Sequence, residues 1–221
     1  MTTIKRPATA EMSRMKAIML ERHLKGRDIR DAKVLAAMEA TPRELFVDSS
    51  HQDMAYDDCP LPLGCGQTIS QPYIVALMAQ TLQIPQGAAV LEIGAGSGYQ
   101  AAVLSRLAGW VYTVEIIEEL ALQAEKRLRD IGCGNVTVIH ADGSRGWPGR
   151  APYSRIIAAA APSRVPPALE EQLEEGGRIV IPVGGLEMQD LLLGIKAGGR
   201  VNYETVTSVR FVPMTGDAHK P

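Results

Sequence analysis

The apolar positions change their period along the chain. Met12, Met15, Met19 and Leu20 recur at helical spacing, and Gly26 is placed to stop that helix. Asp31 is a fitting N-cap for a second helix carrying Val34, Leu35 and Met38, closed by Thr41-Pro42. These apolar residues read as core contacts. Residues 43–70 carry no period, and Pro60, Pro62, Gly64 and Gly66 punctuate them. So long an irregular run inside a compact domain is uncommon and often functional. A third helix follows. Ser70 is its expected cap, Pro72 sits in the first turn, and Ile74, Leu77, Met78 and Leu82 form its stripe.

After residue 87 short apolar runs alternate with helical stretches. Strands are predicted over 88–93, 110–114 (running into Glu115), 136–140, 155–160 and 178–183. Helices are predicted from the glycines at 94–98 to Ala108, over 118–131 and over 166–173. Residues 191–196 and 203–212 alternate with period two about a Gly198-Gly199 turn, as antiparallel strands do. The pattern predicts an α/β fold: a Rossmann-like, doubly wound, mostly parallel sheet with antiparallel C-terminal strands and an N-terminal helical extension. Neither repeat nor linker interrupts it. One domain is expected over 1–221, with helices and a loop in 11–70, an α/β core in 71–215 and a frayed tail over 216–221.

Composition narrows the function classes. The 221 residues hold 23 Lys+Arg against 25 Asp+Glu, a formal charge of −2, which disfavours a nucleic-acid binder. No segment reaches the roughly 18 apolar residues of a membrane span. The N-terminus lacks the apolar core of a secretion signal. The three cysteines form no CxxC pair, which points to a reducing compartment and against a zinc site. A cytoplasmic, monomeric protein with no metal and no membrane or nucleic-acid partner is expected. The four histidines, at 23, 51, 140 and 219, read as surface or strand-end residues.

The candidate chemistry begins at Gly94-Ala95-Gly96-Ser97-Gly98, between a strand and a helix. Glycines there let a ligand approach the backbone, and the helix N-terminus offers unpaired N–H groups. Glu115 ends the next strand, where a carboxylate accepts both ribose hydroxyls. Asp142 ends the third, on the same carboxyl edge, where an adenine would lie. The glycines do not fit the dinucleotide G-x-G-x-x-G pattern. Glu92, just before them, suits a cationic cofactor better than a pyrophosphate, and favours S-adenosylmethionine.

Two further segments are unusual: Leu61-Pro62-Leu63-Gly64-Cys65-Gly66-Gln67-Thr68-Ile69-Ser70-Gln71-Pro72 and Arg210-Phe211-Val212-Pro213. Together with the glycine loop, Pro42-Arg43-Glu44 and Ala160-Ala161-Pro162, they resemble the protein-L-isoaspartate O-methyltransferases from about residue 12 to 215. The Thr-Ile-Ser-Gln-Pro segment makes that likeness specific within the methyltransferase superfamily.

The resemblance implies methyl transfer from S-adenosyl-L-methionine to the α-carboxyl of isoaspartyl residues in damaged proteins and peptides, with S-adenosyl-L-homocysteine as product. Repair then proceeds through a succinimide. It implies Ser70 as the catalytic-site serine, with Gly94, Ala95, Gly96, Ser97 and Gly98 beside the methionine part. Glu115 takes the ribose, Asp142 and Gly143 the adenine edge. Gln71, Pro72 and Tyr73 close over the cofactor, with Glu92 and Thr215 near it. Thr68, Ile69, Val209, Arg210 and Val212 are the implied substrate contacts. Cys65, Ala141, Ser154, Arg155 and Ala159 depart from the family pattern. Two alternatives stay open at this point: a methyltransferase of this fold acting on another carboxyl or a small molecule, and a non-enzymatic S-adenosylmethionine-binding protein.

Overall fold

The computed structural model describes residues 9–219. Helix α1 (Thr9–Ile18) runs on as a wider π-helical segment, Met19–Lys25. Gly26 ends it as predicted, its N–H reaching back to the Glu21 carbonyl at 2.9 Å. Helix α2 (Ala32–Ala40) starts at Asp31, whose carboxylate accepts from the N–H groups of Lys33 and Val34. The run expected to be irregular holds two 3₁₀ turns, Arg43–Leu45 and Ser49–Met54. A small antiparallel hairpin follows, β1 (Leu61–Gly64) and β2 (Gln67–Ile69). Strands this short, interrupted by Pro62 and Gly64, carry no readable alternation. Helix α3 (Pro72–Leu82) is capped by Gln71, not Ser70, and without a side-chain bond.

The remaining elements alternate as expected: β3 (Ala89–Ile93), α4 (Tyr99–Ser105), β4 (Trp110–Glu115), α5 (Glu118–Asp130), β5 (Val136–His140), β6 (Tyr153–Ala158), α6 (Pro167–Gln172), β7 (Leu173–Gly184), β8 (Gln189–Ala197) and β9 (Arg200–Val209). The seven-stranded sheet has the order β5-β4-β3-β6-β7-β8-β9. Strands β5 to β7 in that order are parallel, and β8 and β9 antiparallel. β7 begins five residues before the predicted start, because Leu173 pairs with Tyr153 across a register shift.

The central strand is sealed on both faces. Val90 packs with α3, α4 and the N-terminal helices, while Leu91 and Ile93 face Leu169 of α6 and Tyr153. This double burial explains the unbroken apolar run. The tail expected to fray is folded over 216–219, where a 3₁₀ turn docks on Asp142. Residues 220–221 of that expectation lie outside the described residues.

Gln80 of α3 ties the N-terminal layer down. Its Oε1 accepts from the N–H groups of Arg30 and Asp31, and its Nε2 donates to the Asp28 carbonyl. Replacing Gln80 with Ala should cost about 1–2 kcal/mol, since water recovers part of these bonds. Urea unfolding of wild type and Q80A checks this.

Candidate active site

The parallel strands bring their carboxyl ends to one edge. The chain leaves β3 at Gly94, whose φ of +90° puts it in the region that favours glycine. Its N–H bonds the Val114 carbonyl at 2.8 Å, and the Ala159 N–H bonds Ile93. The loop is then fastened sideways. Glu115 Oε2 accepts from the Gly96 N–H at 2.9 Å, and Oε1 from Ile117 N–H at 3.0 Å. Ser97 Oγ accepts from the Tyr99 N–H at the start of α4. Gly98 lies close against Ala124 and Leu128 of α5.

Glu92 is fully buried on β3, in register with Thr113 of β4. Among the described residues neither of its carboxyl oxygens has a hydrogen-bond partner, nor has Thr113 Oγ1. Burial pushes the Glu92 carboxyl up to about 8, and the nearby Glu115 adds to the rise, while the Thr113 hydroxyl opposes it. Two carboxyl groups thus lie together beneath the glycine loop.

Asp142 is occupied from two sides. Oδ1 accepts from Ser144 N–H and Oγ, and Oδ2 from the N–H of Asp217 at 2.8 Å. Burial alone would raise this carboxyl, but the bonds from Asp217 and Ser144 hold it below its ordinary value. Gly143 follows because a Cβ there would stand 2.5 Å from Ile93 Cγ2.

Two cavities meet at this edge. A cleft of about 60 Å³ is lined by Gly94, Glu115, Gly143 and Thr215 among the predicted cofactor residues. A groove of about 460 Å³ beside it is lined by Ser70, Thr68, Val209, Arg210 and Val212. Thr68, Ala159 and Val212 border both.

Gln71 and Tyr73 line the groove and not the cleft, and Pro72 is buried at the head of α3. Ile69 belongs to the core. Ala95, Gly96, Ser97 and Gly98 shape the loop without bordering the cleft, and Glu92 and Asp142 stand behind its lining. The sequence reading missed Ile93, Ile117 and Met214 in the cleft, and Arg27, Glu187 and Met188 in the groove. For Ile93 the signal was its position at the end of a predicted strand, and for Ile117 its place in the turn between a predicted strand and helix.

Cys65, at the hairpin tip, is exposed and adopts φ +51°. Desolvation and the facing carboxylates of Glu119 and Glu115 raise its thiol pKa, a shift away from the thiolate. Among the described residues no group of three or more His, Cys, Asp or Glu could hold a metal ion.

The sheet order, the glycine loop and its strand-end acid define a Rossmann-like, S-adenosylmethionine-dependent methyltransferase. The chain belongs to the protein-L-isoaspartate(D-aspartate) O-methyltransferase family, whose model matches residues 13–219. It is 48% identical over 212 residues to protein-L-isoaspartate O-methyltransferase 2 of Pelobacter propionicus, covering 95% of this chain and 94% of the relative. It is 50% identical over 198 residues to the protein-L-isoaspartate O-methyltransferase of Methanoregula boonei, covering 90% and 91%. A solved protein-L-isoaspartate O-methyltransferase superposes with TM-score 0.81 at 29% identity, over 94% of this chain and 67% of that one. A putative enzyme of that name from Plasmodium falciparum, solved with S-adenosyl-L-homocysteine, shares the fold at TM-score 0.78 and 23% identity, over 91% and 98%.

The raised Glu92 carboxyl makes stability depend on pH. The folded state binds this proton more tightly than the unfolded chain, whose carboxyl titrates near its ordinary value of 4.5. Its contribution therefore falls as pH rises from about 4.5 to about 8, and changes little outside that window. Glu92→Gln should flatten this slope in cofactor-free protein, read as midpoint shifts in denaturant titrations from pH 5 to 8.5.

Proposed function

We infer that the chain is an S-adenosylmethionine-dependent enzyme that methylates the α-carboxyl of L-isoaspartyl residues in damaged proteins and peptides, starting their repair through a succinimide. One observation carries the local reading. The cleft and the groove share Thr68, Ala159 and Val212 as a common wall, so a donor on one side and a carboxylate on the other meet there.

The donor set fits the cofactor. Two carboxyl groups lie together under the glycine loop, and among the described residues the Glu92 oxygens have no partner. That is a place for a positively charged ligand. When bound, the cofactor supplies a methyl group on a sulfonium centre. In this reading Glu115 holds the ribose through the lone pairs that the backbone leaves free, since an ionised carboxylate has about four acceptor sites. Asp142 and Gly143 edge the adenine, the 94–98 loop faces the methionine part, and Thr215 closes the cleft. Gln71 and Tyr73 are reassigned to the acceptor side, on the groove wall.

In this reading Ser70 handles the acceptor. It lines the groove and does not serve as the α3 cap. An α-carboxyl with an ordinary pKa near 3.5 is ionised at neutral pH, so no general base is needed. Ser70 orients the carboxylate by donating a hydrogen bond, and the groove aligns it and excludes water. Val209, Arg210 and Val212 flank the polypeptide on the opposite wall. The enzyme is read as a cytoplasmic monomer that acts as one domain, with no metal, membrane or nucleic-acid partner. Among the described residues, no helix is long and apolar enough to cross a membrane.

The test is radiolabelled methyl transfer to matched peptides containing isoaspartate or aspartate. Base-labile label on the isoaspartyl peptide alone is the expected result. Label on neither peptide, with cofactor binding intact, rejects the reading. Ser70→Ala should lower kcat about 10–100-fold, equivalent to about 1.4–2.7 kcal/mol of transition-state alignment, with cofactor affinity kept. Single-turnover transfer and calorimetric cofactor titration separate the two quantities.

A further inference from the structure

We propose that Arg27 is a specificity-determining residue that docks a carboxylate on the polypeptide flanking the isoaspartyl residue. The proposal rests on the function inferred above and adds to it a preference for acidic neighbours.

Arg27 stands in the loop between the π-helical segment and α2, and lines the groove with Ser70 and Tyr73. Its guanidinium carbon lies 3.3 Å from the centroid of the Tyr73 ring. Contact this close is a stack, and stacking leaves the edge donors of a planar guanidinium directed outward. Burial raises the Tyr73 pKa, and the Asp28 carboxyl near the Tyr73 hydroxyl adds to the rise. Asp58 takes one donor, Nη1, at 3.3 Å. Among the described residues no other side-chain donor of Arg27 has a protein hydrogen bond, although a guanidinium has five N–H groups. The side chain is 45% exposed. It is a cation held in place with most of its hydrogen-bonding capacity unused.

Position decides which carboxylate it takes. The reacting carboxylate must sit where cleft and groove meet, at Thr68, Ala159 and Val212. Arg27 borders the groove only. A carboxylate at Arg27 therefore belongs to a neighbouring residue of the same extended chain. Charge agrees with this. The groove lining carries Arg27 and Arg210 against one acid, Glu187, on the loop between β7 and β8. A cation with an oriented edge binds carboxylate through charge-assisted hydrogen bonds, which an amide side chain of the same shape cannot match.

The experiment compares isoaspartyl peptides that differ only in Glu or Gln at the adjacent positions, on either side. For the wild type, kcat/KM should favour the Glu peptide about tenfold, and the advantage should shrink as salt rises. Arg27→Gln should bring the ratio near one, and Arg27→Lys should restore part of it. Calorimetric cofactor affinity and a melting curve check that each variant is folded. A wild-type ratio near one overturns the proposal without any variant. So does a ratio that survives in R27Q, or one removed by Arg210→Gln and not by R27Q. Methyl transfer to no isoaspartyl peptide at all would instead reject the underlying function.

Discussion

The carboxylate of Glu115 is the constraint on which the site depends. It stands at the end of β4 and accepts two backbone N–H groups, one from the glycine loop after β3 and one from its own turn. Without an acceptor there, the Gly96 N–H would lose its bond in a partly buried place, and the loop would lose its tie to the neighbouring strand. A neutral amide could accept one such bond, but its NH₂ would oppose the second. The same carboxylate brings a negative charge close to buried Glu92. Burial is the main cause of the raised Glu92 carboxyl, and the like charge of Glu115 at short range adds to it. The group that orders the loop therefore also adds to the rise of the carboxyl beneath it.

The N-terminal layer is built to reach this loop. Arg43 is fully buried, with Nε on the Ala55 carbonyl at 2.8 Å and its guanidinium 4.7 Å from the centre of the Tyr99 ring. Tyr99 opens α4 directly after Gly98, and Phe46 meets its ring edge-on. Burial lowers the Arg43 pKa, with the facing Tyr99 as the main opposing influence. Leu63 of the hairpin reaches the other side of the loop, 3.5 Å from where a Gly96 Cβ would be. The N-terminal layer thus braces the glycine loop through Arg43, Phe46 and Leu63, and reaches the groove itself only through Arg27 and the segment from Pro60 to Ser70.

What could be read from the sequence follows range. The strands, the glycine loop and Glu115 were legible because periodicity and strand-end spacing are local. Asp31 was legible as a cap for the same reason. Ser70 was legible only in part. Its local pattern suited a cap, but Pro72 sets the start of α3 so that Gln71 takes that place. Contacts spanning many residues left no local trace. Asp142 with Asp217 and Arg27 with Tyr73 each join segments that only the fold brings together. The tail looked frayed because its anchor lies on the third strand's end, and the β1–β2 hairpin was invisible because neither strand is long enough to alternate.

The volumes of the two cavities impose an order on access. Small-molecule sites occupy about 300–1,000 Å³. The groove, at about 460 Å³, is of that size, while the cleft, at about 60 Å³, is not. A ligand of ordinary small-molecule size would have to part the walls of the cleft. Those walls are Gln67 and Thr68 on the hairpin side, and Val212 to Thr215 after β9. The second wall is fastened at both ends. The Ala161 N–H bonds the Val212 carbonyl, the Met214 N–H bonds the Ala161 carbonyl, and Asp217 caps Asp142 and pairs with Arg145. Opening it costs backbone bonds, and closing it restores them around the ligand. The acceptor faces no such barrier, since its groove already opens between the hairpin and β9. In the reading proposed above, a narrow cleft and an open groove would suit an enzyme with one invariant ligand and one that varies with every damaged polypeptide.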